Sequence, residues 1–121
     1  RGTVLFADDE PTLRELTKDL LESRGYQVVL ARDGVEAVET FRGRQDICLV
    51  VLDLTMPRMG GLDAFRIIRG ENPRMKVILA SGYTVEDIQD RSGPQPDGFL
   101  HKPFAMKELL AMVADLCGPR G

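Results

Sequence analysis

The chain has 121 residues, 43% hydrophobic and 29% charged, which is the length of one compact domain with a globular balance and leaves no room for a second. Its formal net charge of −3 comes from 16 basic and 19 acidic residues, and the scattered arginines exclude the clustered footprint of a direct nucleic-acid binder. No apolar run approaches the roughly 20 residues that span a bilayer and no basic-then-apolar signal opens the chain, so a cytoplasmic protein is expected.

The chain opens at Arg1 and closes on Gly118-Pro119-Arg120-Gly121, and it is expected to be part of a longer protein. The first apolar run, Val4 to Ala7, leads into Asp8-Asp9. Pro11 then suits the first position of a helix whose apolar stripe is Leu13, Leu16, Leu20 and Leu21. Val28 to Ala31 form a second run, more polar at its ends and so a candidate edge strand. Asp33 is placed to cap a helix that buries Val35, Val38 and Phe41. Ile47 to Leu52 is the most continuously apolar run, as in a parallel strand covered on both faces, and it ends on Asp53.

Leu62, Phe65 and Ile68 mark a third helix that stops before Asn72-Pro73. Val77 to Ala80 lead into Ser81, and Thr84 can cap a short helix to Asp90 that Gly93, Pro94 and Pro96 cut off. Phe99-Leu100 precede His101-Lys102, and the stripe Met106, Leu109, Leu110, Val113, Leu116 and Cys117 closes the chain as a helix. Cys48 and Cys117 lack metal-ligand spacing, and both read as small hydrophobes among apolar neighbours.

Five strands alternating with about five helices, the fourth short, predict a doubly wound α/β sandwich with a parallel sheet in which the second and fifth strands lie at the edges. Ligands in such sheets bind outside the carboxyl ends of the strands. The residues there are Asp8-Asp9, Asp53, Ser81 and His101-Lys102. Clustered carboxylates repel unless a cation joins them, and oxygen donors alone suit Mg²⁺ or Mn²⁺ rather than zinc. Asp53 is then the candidate carboxylate nucleophile for a phosphoryl group. Lys102 and the Ser81 hydroxyl would stabilise its oxygens. Taken singly, each residue has a plainer reading: Asp8-Asp9 as a turn and helix cap, Ser81 as a turn residue, Phe99 as a buried edge-strand aromatic. Jointly, on successive strands, they point to phosphoryl transfer.

Four segments carry a resemblance: Leu5 to Pro11, Leu52 to Gly61, Ala80 to Tyr83 and Gly98 to Phe104. Together they resemble response-regulator receiver domains over essentially the whole chain, residues 1–121. The resemblance implies a flavodoxin-like sheet of order 2-1-3-4-5 and two-component signalling. It implies acceptance of a phosphoryl group on Asp53, from a histidine kinase or a histidine-phosphotransfer domain, in a reaction the domain itself catalyses. It further implies Mg²⁺ held by Asp9, Asp53 and the Thr55 carbonyl, with Asp8 acting through water. Ser81 and Lys102 would bind the phosphoryl oxygens, Phe99 would be an aromatic switch, and the Lys102-Pro103 bond would be cis.

Two features depart from the pattern: the interrupted fourth helix and the bulky Tyr83 near the site. The Ala80-Ser81-Gly82-Tyr83 and Gly98 to Phe104 wording is most like receivers attached to hybrid histidine kinases. A dehalogenase-type phosphohydrolase wants an acid two positions after its nucleophile, where this chain has Thr55. A nucleotide binder wants a glycine-rich loop where Asp8-Asp9-Glu10 would repel phosphates. A pseudo-receiver that only binds partners should lack one of the acidic or lysine positions, and all are present.

Overall fold

The computed structural model describes residues 2–82 and 95–117. The elements are β1 (Thr3–Ala7), α1 (Pro11–Ser23), β2 (Gln27–Ala31), α2 (Gly34–Arg42), β3 (Ile47–Asp53), α3 (Gly61–Glu71), β4 (Val77–Ser81), β5 (Gly98–His101) and α4 (Met106–Cys117). The short helix expected from Thr84 to Asp90, and Tyr83, lie outside the described residues.

All strand pairs are parallel, and the order is β2-β1-β3-β4-β5. β2 and β5 stand at the edges as expected. Alternation along the strands divides the interior into two layers. Leu5, Val50, Leu52 and Leu79 face α2 and α3 with Val38, Phe65 and Ile68. Val4, Phe6, Leu49, Val51 and Ile78 face α1 and α4 with Leu21, Leu109 and Val113. Every residue of β1 and β4 is buried, and so is every residue of β3 except the half-buried Cys48.

Two sequence expectations are corrected. Leu16 is 54% exposed; the buried positions of α1 are Thr17 and Leu21, with Leu13 half-buried one turn before Thr17. The inward stripe runs at intervals of four, and Leu16 falls just off it. The cysteines are not isolated either, for Cys48 and Cys117 form a disulfide with Cα atoms 5.6 Å apart. The cause is a register shift: Thr3 pairs with Ile47 but Val4 pairs with Leu49, so Cys48 is the extra residue of a bulge. Strict alternation back from Leu52 would aim Cys48 at α2 and α3. The bulge instead sets it beside Leu49 on the α4 side, where Cys117 ends the helix.

Candidate functional site

The carboxyl ends of β1, β3, β4 and β5 meet on one rim, because parallel strands deliver their last residues to the same edge. Asp8 and Asp53 are buried, Asp9 is exposed, and one carboxylate oxygen from each of the three lies within 4.8 Å of the others. Lys102 Nζ donates to Asp8 Oδ2 at 2.7 Å and stands 3.4 Å from Asp53 Oδ2. Asp8 is held further by the Glu10 N–H, which donates to Oδ1 at 2.9 Å, and by Arg14, which donates to its carbonyl at 2.8 Å.

Burial pushes the Asp53 carboxyl up to about 6, and the neighbouring Asp8 charge adds to the rise while Lys102 and the Thr55 N–H oppose it. Burial works against the Lys102 charge, but hydrogen bonding and attraction to Asp8, with Asp53 adding to both, raise its pKa above the ordinary value. One ammonium thus serves two buried carboxylates, and a third acid stands at the mouth. The cluster is rich in anionic oxygen and, among the described residues, holds no His or Cys donor. That donor set fits a hard divalent cation that keeps part of its water.

The backbone around Asp53 is held from two sides. The Leu54 N–H donates to Ala80 O at 2.8 Å, and the Gly61 N–H donates to Leu54 O at 3.1 Å. A Cβ on Gly61 would overlap the Asp53 carbonyl, so glycine is what lets α3 start against the site. Ser81 is buried at the end of β4 in register with His101, and its carbonyl accepts the Lys102 N–H at 2.7 Å. The Lys102-Pro103 bond is cis, as the resemblance implied.

Phe99, opposite Leu79 on β5, is half-buried against the α2/α3 layer. Thr55 is exposed two residues beyond Asp53. His101 lies exposed with Nε2 3.2 Å from the Gly82 carbonyl, at the edge of the site. Sequence reasoning missed the ion pair of Arg58 with Asp33, which ties the loop after β3 to the corner before α2. No local signal joins those residues, since the pairing exists only once the two loops share an edge.

Residues 4–114 match the response regulator receiver domain family. This chain is a response regulator receiver domain. The sensor kinase CckA of Brucella abortus is 41% identical over 120 residues, covering 95% of this chain and 12% of that protein. The probable transcriptional regulatory protein TcrX of Mycobacterium tuberculosis is 38% identical over 115 residues, covering 94% and 49%. The receiver therefore spans half or less of these relatives. The response regulator TrrA of Thermotoga maritima, solved in complex with Mg(2+)-BeF, superposes with a TM-score of 0.85 at 34% identity, covering 96% of this chain and 99% of that one. TrrA thus shares the fold of this chain, which as a receiver domain belongs to two-component signalling.

Proposed function

We propose that this receiver takes a phosphoryl group from a phosphohistidine donor onto Asp53, with magnesium held by Asp9, Asp53 and the Thr55 carbonyl and by Asp8 through water. The observation that carries the reading is the Asp53 carboxylate, buried at the end of β3 between Asp8 and Lys102 Nζ. A bound magnesium ion supplies positive charge that neutralises phosphoryl oxygens and favours ionised Asp53. Asp53 attacks phosphorus, forming the P–O bond as the P–N bond to the donor imidazole breaks. Lys102, which bridges Asp8 and Asp53 here, turns its ammonium to a phosphoryl oxygen, and the Ser81 hydroxyl donates to another. The end product is an acyl phosphate on β3.

Incubation with acetyl phosphate and magnesium tests this. Intact mass should show one added phosphoryl group, absent with EDTA or in Asp53→Asn. Stoichiometric labelling of the Asn variant would overturn the assignment.

The donor is proposed to be a histidine kinase or a histidine-phosphotransfer helix, acting on the cytoplasmic side where such donors are charged from ATP. Among the described residues, no helix is long and apolar enough to cross a membrane. The 41% identity to a sensor kinase supports placing the receiver within a hybrid kinase. A transmitter region in the same full-length gene product would bear that out, and a gene encoding a lone receiver would refute it.

A further inference from the structure

Arg58 has φ of 64°, the left-handed region that residues with a Cβ seldom enter. It stands three residues beyond Thr55, in the loop from β3 to α3. Its side chain explains what holds it there. Nε donates to Asp33 Oδ2 at 2.9 Å, and a second guanidinium nitrogen lies 3.3 Å from Asp33 Oδ1. Asp33 is itself fixed, buried at the start of α2 with its carboxylate accepting the Glu36 N–H at 2.9 Å. The Arg58 guanidinium, followed by that N–H, holds the Asp33 carboxyl below its usual range.

The next residue of each loop repeats the connection. The Gly34 N–H donates to the Met59 carbonyl at 2.9 Å, and a Cβ on Gly34 would overlap that carbonyl. Arg58-Met59 are therefore stapled to Asp33-Gly34 by one ion pair and one backbone bond. At its other end the loop is fixed to β4 through Leu54 and Ala80. Thr55 lies between these two anchors.

We infer that Arg58, acting through Asp33, is a positioning residue that sets the β3–α3 loop so that the Thr55 carbonyl can serve as a metal ligand. The inference rests on the magnesium site proposed above. A carboxylate ligand can swing on its own rotamers, whereas a carbonyl ligand goes only where its backbone goes. Magnesium demands near-ideal octahedral geometry, so a loop displaced by a fraction of an ångström loses that ligand. The planar fork of arginine suits the two Asp33 oxygens in a way that lysine cannot reproduce.

The sign of the effect separates positioning from simple electrostatics. Arg58 lines the same open groove as Asp9 and Asp33. Removing its positive charge should, by Coulomb attraction alone, tighten binding of a nearby cation. Positioning predicts the opposite. Magnesium affinity is read from amide chemical shifts of the 121-residue chain, and phosphorylation by acetyl phosphate is followed as magnesium is varied.

Arg58→Gln is expected to weaken magnesium binding roughly two- to fivefold, the scale of a partly exposed ion pair. The slower phosphorylation should recover at saturating magnesium, and Arg58→Lys should fall between. Asp33→Asn keeps a capping oxygen, and combining it with Arg58→Gln should cost no more than the worse single change. Unchanged or tighter binding in Arg58→Gln, or additive losses in the double variant, would overturn the inference while leaving the metal site standing. A parent chain with no magnesium response would overturn both.

Discussion

Asp53 and Lys102 show how burial and neighbouring charge set the protonation of a carboxylate. The Asp53 carboxyl is held near 6 against an ordinary 3.8, so the folded chain keeps this proton longer than the unfolded chain does. Its contribution to stability is then greatest below about pH 4, declines as pH rises through about 6, and levels off above. Asp53→Asn, which cannot ionise, should be more stable than the parent by about 1–3 kcal/mol at pH 8 in EDTA, with little difference at pH 4. Urea unfolding at the two pH values measures this, and magnesium should close most of the gap at pH 8. An equal difference at both pH values would show that relieved packing, and not charge, is responsible.

At the scale of elements, α4 is tied to the sheet at its last residue. The Cys48–Cys117 bridge closes a segment with a sequence separation of 69 and joins the start of β3 to the end of α4, at the sheet end opposite Asp53. By loop closure alone such a link is worth about 4 kcal/mol. Reduction, or Cys48→Ser, should lower the urea midpoint accordingly while leaving Asp53 phosphorylation intact; coincident unfolding curves with and without reductant would refute the prediction. The other element with a testable motion is β5. Phe99 is half-buried on an edge strand directly beside β4, which ends on Ser81. Phosphorylation should draw Ser81 toward the phosphoryl oxygens and shift Phe99 inward along a pre-existing equilibrium. NMR of the Phe99 ring with and without acetyl phosphate reads that shift, and an identical rotamer in both states would count against it.

On the scale of the whole molecule, the rim around Asp53 adjoins an apolar surface. Leu13, Pro103 and Phe104 line a shallow groove with Glu10 and Lys102, and the exposed Leu16 lies on the same helix as Leu13. A donor helix seated there would bring its phosphohistidine toward Asp53 while covering Leu16. Chemical-shift mapping with a cognate kinase or phosphotransfer domain should perturb residues around Asp8, Pro11, Leu16 and Phe104. Leu16→Asp should weaken docking about fivefold or more without slowing phosphorylation by acetyl phosphate, since burying an unpaired carboxylate is costly. Perturbations confined to residues 84–96 would place the contact elsewhere.

Much of this protein is legible in its sequence. The long apolar run of β3 and the short one of β5 mark a central and an edge strand, because a strand covered on both faces must be hydrophobic throughout. The polar ends of the runs also determine that Asp8, Asp9, Asp53, Ser81 and Lys102 share one rim, since parallel strands end on the same side. Asp33 as a cap follows from local chemistry and is found so. What the tertiary structure alone decided are pairings between segments distant along the chain. The bulge at Cys48 turned its side chain to the face of Cys117, and local spacing carries no record of a register shift set by the neighbouring strand. Leu16 lost its expected burial because the axis of α1 places Leu13, Thr17 and Leu21 against the sheet, an angle fixed by packing. Arg58 met Asp33 because two loops converge on one edge, where a hydrogen-bonded ion pair can hold a backbone conformation that the residue type by itself disfavours.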